Sequence, residues 1–265
     1  MTRWLSALCV LAAGTALLAA DDKKEADDKG SAKFQVTRLE IRKSPPPKPG
    51  TFMFVNNGIS MDVLVKPSMK NLTGIDFKAS KLESFTDDKK NNLYKKAIGF
   101  FAGSNDWINE FSTQYAPEGD AVTIQMKASI PPGKGAEKVL VKASLVLRFG
   151  KDEKATEKKD IALKAKEEAT VGPFQVKIGQ FGGNQFNVIS AEENLKNIEL
   201  FDDKGKEIKL GPPGRMRMMK GEKTEYTYSY YFFQKTSKVS IKINYYDKVE
   251  SVKVPVDLKV GLALE

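Results

Sequence analysis

Val252-Lys-Val-Pro-Val-Asp-Leu-Lys-Val-Gly-Leu262 sets the terms for the whole chain. Val252, Val254, Val256, Leu258, Val260 and Leu262 fall on one side, with Lys253, Asp257 and Lys259 on the other. A repeat of two is the signature of a strand with one buried face; a helix would space its apolar residues three and four apart. Pro255 has no N–H to give to a ladder, so part of this strand is expected at a sheet edge. The same rhythm recurs upstream. Val122, Ile124, Met126 and Ala128 alternate with polar neighbours, as do Val139, Val141, Ala143, Leu145 and Leu147. Thr51–Val55 and Ile59–Val65 flank Asn56-Asn57-Gly58, whose Asn-Gly pair accepts the positive φ angles of a hairpin turn. Helical spacing is confined to Ser104–Phe111, where Trp107 and Phe111 stand four apart. An apolar anchor over a sheet is the expected role of that pair.

The halves repeat one another. Phe34-Gln-Val36 returns as Phe174-Gln-Val176, and Leu82-Glu-Ser-Phe-Thr-Asp87-Asp88-Lys89 as Ile198-Glu-Leu-Phe-Asp202-Asp203-Lys204. Lys138-Val-Leu-Val-Lys-Ala143 matches Lys238-Val-Ser-Ile-Lys-Ile243, and Lys159–Lys164 resembles Val254–Lys259. Four matches in one order predict an all-β protein of two tandem antiparallel β-sandwiches of immunoglobulin-like type. The expected sandwiches are residues 32–165 and 173–265, joined by a linker at 166–172 where Lys166-Glu167-Glu168 precedes Gly172-Pro173.

Composition then limits the chemistry. The 265 residues include 43 Lys+Arg against 34 Asp+Glu, a formal charge of +9, one cysteine and no histidine. Without imidazole there is no Ser-His-Asp triad, Cys-His pair or His-ligated metal. Gly179-Gln-Phe-Gly182-Gly183 lacks the strand–glycine–helix context of a dinucleotide site, so no cofactor is nominated. No carboxylate pair stands out for glycoside hydrolysis. The expectation is a protein that is not an enzyme.

Residues 1–20 have the layout of a signal peptide: Arg3 supplies a positive charge, Trp4–Ala20 is uncharged, and Asp21-Asp22 follow at once. Cleavage is expected after Ala19 or Ala20 and would remove Cys9, leaving domains that must be stable through apolar burial alone. Residues 21–31 read as a charged, flexible tether. Loss of Arg3 with the leader leaves an exported chain of +8, which favours an envelope protein or an anionic polysaccharide as partner, with nucleic acid set aside.

The leader, the tether, the paired Asp-Asp-Lys turns and the Val254-Pro-Val-Asp-Leu258 ending resemble those of uncharacterised exported bacterial proteins built of tandem immunoglobulin-like modules, over residues 32 to 265. That resemblance implies an envelope location, periplasmic or at the cell surface, and a binding or scaffolding role. It carries no catalytic residues.

Two constellations stand out as candidate sites. Asp87-Asp88 and Asp202-Asp203 could offer hard oxygens to calcium. Aspartate also opens type I turns by accepting from its own backbone, and the turn is the expectation here, with Gly205 or Asn91-Asn92 in the left-handed position. Arg215, Arg217 and Lys220 follow Pro212-Pro213-Gly214 and precede Tyr226-Thr-Tyr-Ser-Tyr230-Tyr-Phe-Phe233. Arginine forks suit carboxylates or sulfates, and tyrosines stack on sugars or proteins. Alternation sends Tyr226, Tyr228, Tyr230 and Phe232 into a core and leaves Tyr231 and Phe233 on the opposite face, where with Arg215, Arg217 and Lys220 they form the candidate binding surface. Exposed, they would support a carbohydrate-binding accessory module as the alternative to an envelope scaffold.

Overall fold

The computed structural model describes residues 30–43, 57–95, 107–116, 118–164, 166–179, 184–220, 223–233 and 236–262. The leader at 1–20, most of the tether and the Thr51–Val55 strand lie outside the described residues. What is described is all-β and antiparallel. The strands are β1 (Ala32–Arg42), β2 (Gly58–Pro67), β3 (Leu72–Ile75), β4 (Lys81–Asp87), β5 (Ile108–Tyr115), β6 (Val122–Ala128), β7 (Lys138–Ala162) and β8 (Glu168–Val171). They continue with β9 (Phe174–Ile178), β10 (Gln185–Ser190), β11 (Leu195–Phe201), β12 (Glu207–Ile208), β13 (Gly214–Lys220), β14 (Lys223–Tyr231) and β15 (Lys238–Gly261).

The chain forms two compact units, and neither is a continuous half. One consists of the residues through Ser68, Phe77–Leu145 and the residues from Lys253 on; the other of Met69–Asp76 and Val146–Val252. The expected division into 32–165 and 173–265 is therefore not the one observed. The cause lies in β7 and β15, of 25 and 24 residues, where strands of 3–10 residues are usual. Each begins in the unit built by its own copy and ends in the other. The expected linker differs as well. Glu168–Val171 is strand β8, with Ala169 and Val171 buried, and Gly172-Pro173 turns it into β9.

In the first unit one sheet has the order β1-β2-β6-β5. Ile59, Met61, Val63 and Val65 of β2 sit directly across from Ala128, Met126, Ile124 and Val122 of β6, all buried. The second layer pairs β4 with the first part of β7, whose Val139, Val141, Ala143 and Leu145 are buried, and β7 lies beside β15. In this unit β15 is the outer strand, which accommodates exposed Pro255. Among the described residues, the part of the helical candidate from Ile108 on is strand, running to Tyr115, and Trp107 is buried at its start. Burial of the indole and cross-strand pairing outweigh one helical spacing.

In the second unit the sheet β13-β14-β10-β9-β8 covers β12-β11-β15-β7-β3. Tyr226, Tyr228, Tyr230 and Phe232 enter one core with Val176, Phe186, Val188, Leu200, Val239, Ile241 and Ile243, as their alternation predicts. Phe186 stacks on Tyr230 at 5.3 Å between centroids, and Phe174 meets Tyr245 edge-on at 5.2 Å. These are the preferred aromatic geometries.

The repeat is present in the pairing itself. The order β1-β2-β6-β5 corresponds element for element to β9-β10-β14-β13, and β4 pairs with the start of β7 as β11 pairs with the start of β15. Phe34 and Phe174 open equivalent strands.

Candidate functional site

The chemistry of the second unit gathers around a buried carboxylate. Residues 191–194 connect β10 to β11 and are pinned by Asn194, whose side chain donates to the Tyr246 carbonyl (3.0 Å) and accepts from the Ser190 hydroxyl (3.1 Å). This turn directs Glu193 inward, where its side chain is 7% exposed. Its Oε1 is ion-paired with Arg215, whose guanidinium also donates to the Thr73 carbonyl at 2.7 Å and lies 5.5 Å from the Tyr228 ring centre. Arg148 stands 3.9 Å from Glu193 Oε2 and donates to Asp76 (2.9 Å) and the Tyr226 hydroxyl (2.8 Å). The carboxylate rests on Gly74, where any side chain would overlap it. Glu193 Oε2 and Arg148 Nε are buried without a hydrogen-bond partner.

Burial pushes the Glu193 carboxyl up from 4.5 to about 7, although Arg215, Arg148 and Arg217 all pull it down. Burial likewise raises the Tyr226 and Tyr228 hydroxyls. For Arg148 burial opposes the charge, but the Asp76 hydrogen bond and the Tyr226 and Glu193 oxygens raise its proton affinity overall. The arrangement is an ionic clasp. It ties β13 and β14 of one sheet to β3 and β7 of the other. Glu193, Arg148 and Asp76 escaped sequence reasoning because nothing local distinguishes them among so many charges. The one available signal was Arg148 inside the apolar run Leu145-Val-Leu-Arg-Phe149.

Of the candidate binding surface, Arg215 and Arg217 lie on the core side of β13 while Tyr231 and Phe233 are exposed. In the β13–β14 register Arg215 faces Tyr228 and Arg217 faces Tyr226, on the core side; Met216 and Met218 face Thr227 and Glu225 on the other side. Arg215 is committed to Glu193 and Thr73, and Arg217 is half-buried. The side chain of Lys220 lies outside the described residues. Tyr231 and Phe233 are 49% and 90% exposed, and Met216 and Met218 are 56% and 40% exposed. Tyr231 shares the outer face with Met216, about 13 Å along the sheet at 3.3 Å per residue. The exposed apolar residues of this sheet are thus methionines at the edge strand and aromatics at the end of β14.

The aspartate pairs make equivalent turns in the two units. Asp87 has no accessible surface. Its Oδ1 accepts from the Lys89 (3.0 Å) and Asn91 (2.8 Å) amides, and its Oδ2 from the Asn91 side chain (2.8 Å) and the Gly133 amide (3.0 Å). Burial would raise this carboxyl, but the bonds from Asn91, Gly133 and Lys89 hold it below its usual value. Asp202 accepts from Lys204 and Lys206, both at 2.9 Å. Asp88 accepts from the Glu137 amide, and Asp203 is exposed. Lys90, not Asn91 or Asn92, takes the left-handed position that Gly205 fills in the other copy, with φ of 65° and 75°. Beside Asp202 and Asp203 lies an open depression of about 490 Å³ lined also by Glu199, Lys238 and Lys242. Among the described residues no three Asp, Glu, Cys or His side chains are grouped to hold a metal ion.

No family model matches the chain, and no curated protein does. A solved structure described as "Complete structure of manganese lipoxygenase of Gaeumannomyces graminis and partial structure of zonadhesin of Komagataella pastoris" aligns over 78% of this chain and 87% of its own, at 9% identity and a TM-score of 0.16. A likeness that low carries no argument.

Proposed function

We propose that the chain is a non-enzymatic, exported cell-envelope protein that binds or spaces other surface components. One observation carries this reading: Met216, Met218, Tyr231 and Phe233 are left exposed on a sheet whose Phe174, Phe186, Val188, Tyr226, Tyr228 and Tyr230 are buried. Exposed apolar groups cost solubility and are found where a partner covers them. The ionisable cluster of the unit is by contrast engaged internally, with Glu193 and Arg215 paired to each other. The signal-peptide layout of residues 1–20 and the positive charge of the remaining chain support an anionic envelope component as partner.

Serine at Tyr231 and Phe233 together, and separately at Met216 and Met218, is expected to release the mature protein from its own envelope fraction while leaving its thermal unfolding unchanged. Retention of both double variants at the wild-type level would reject the reading. The exposed aromatics also support the alternative of a carbohydrate-binding module for an anionic polysaccharide. In that case glycan-array binding persists in 1 M salt, where the Debye length is about 3 Å and simple charge attraction is screened.

A further inference from the structure

Edge strands present unpaired N–H and C=O groups to any other extended chain, and folded proteins blunt them with bulges, proline or short length. Most described outer strands here follow that rule. The β1 ladder shifts register between Val36 and Arg38, that of β5 between Asn109 and Gln114, and that of β4 between Leu82 and Ser84. Strands β8, β3 and β12 have four, four and two residues. In the first unit β15 carries Pro255. Strand β13 differs. All seven of its residues pair with β14 in unbroken register, and the sheet ends there among the described residues.

Its side chains say what could lie alongside. Gly-Arg-Met-Arg-Met-Met-Lys holds three cations and no acid. Arg215 is matched by Glu193, and half-buried Arg217 follows on the same face of the strand. On the outer face Met216 and Met218 are exposed. Directly opposed side chains on neighbouring strands interact most strongly, and opposite charges are favoured there while like charges are disfavoured. A second copy pairing antiparallel through its own β13, centred on Met216 or Arg217, sets arginine directly opposite arginine, so those registers are disfavoured.

We propose that β13 is a strand-addition site: it accepts an extended acidic peptide segment of a partner, with a carboxylate beside Arg217 and apolar side chains beside Met216 and Met218. Main-chain hydrogen bonds supply the affinity and the alternating side chains the selectivity. The inference rests on the binding reading above and names its partner class.

The test uses the full mature chain, labelled with nitrogen-15, and an eight-residue acetylated peptide of alternating Val and Glu. Two controls accompany it: the same peptide with Lys in place of Glu, and one N-methylated at alternate amides. The Val–Glu peptide is expected to slow amide exchange of residues 214–220 at least tenfold and to bind at least tenfold tighter than either control. Arg217→Glu is expected to shift the preference toward the Lys peptide. Unaltered exchange in β13 at millimolar peptide, equal binding by the N-methylated control, or dimerisation of the free protein through β13 would each overturn the proposal. If serine at Tyr231 and Phe233 releases the protein from the envelope while the peptide leaves β13 unprotected, strand addition fails and the binding reading stands. Protection of β13 with no loss of envelope association in any surface variant is the reverse outcome.

Discussion

Replacing Glu193 by Gln should remove a pH dependence that this single carboxyl imposes on stability. Burial holds the folded-state value at about 7, against 4.5 for the exposed group. Between those limits the folded chain binds a proton that the unfolded chain has released, so stability falls as the pH rises. A tenfold change in proton affinity corresponds to about 1.4 kcal/mol, so the full effect is about 3 kcal/mol, of which about 2.5 kcal/mol falls between pH 5 and pH 8. The groups that face this carboxyl are Asp76, Arg148, Arg215, Arg217, Tyr226 and Tyr228. Urea unfolding of the wild type and Glu193→Gln, followed by tryptophan fluorescence and circular dichroism from pH 5 to pH 8, gives the difference directly. The wild type should lose about 2.5 kcal/mol relative to the variant across the series. Two curves that stay parallel to within about 0.5 kcal/mol would show that the charge of Glu193 is fully compensated by Arg215 and Arg148, and the reasoning from burial would be refuted.

Other expectations follow from the same geometry. Asp87→Ala leaves several backbone and side-chain N–H groups without their acceptor and should cost about 3 kcal/mol in denaturant unfolding, and Asp202→Ala should destabilise in the same direction. The wild-type advantage at Asp87 is present above 3.8, the ordinary value of the group, and should fade as the pH falls below it, since its folded-state value is lowered. Lys90→Gly should raise the free energy of unfolding by up to about 1 kcal/mol and Gly205→Ala should lower it by about as much, because both positions hold a left-handed backbone; opposite signs from these would discredit the equivalence of the two turns. Gly74→Ala should destabilise by about 1–3 kcal/mol, since the methyl group enters the space of the Glu193 carboxylate; a neutral result would mean that the clasp can shift at no cost.

The strands were largely readable in advance because alternation is a local property. A side chain's sheet face follows from its position in the pleat. The apolar runs of β6, of the start of β7 and of the end of β15 therefore announce their buried faces wherever the partners come from. The tyrosine alternation of β14 predicted its own core for the same reason. Trp107 is buried as expected, but its helical spacing did not hold, because one i,i+4 pair fits helix and strand alike and only the neighbouring ladder selects between them. The candidate surface was half legible. Exposure of Tyr231 and Phe233 followed from the pleat, whereas the inward commitment of Arg215 depended on Thr73 and Glu193, residues 142 and 22 positions away.

Residue order by itself determined the strand class, the duplication, the absence of imidazole chemistry and the turn-forming aspartates, since each depends on side chains within a few positions of one another. Tertiary structure alone decided that β7 and β15 each contribute to both units, and that one glutamate among many acids is buried between two arginines. Strand partners and the shielding of a charge are set by chain segments far apart in sequence, and no local pattern encodes which of them will meet.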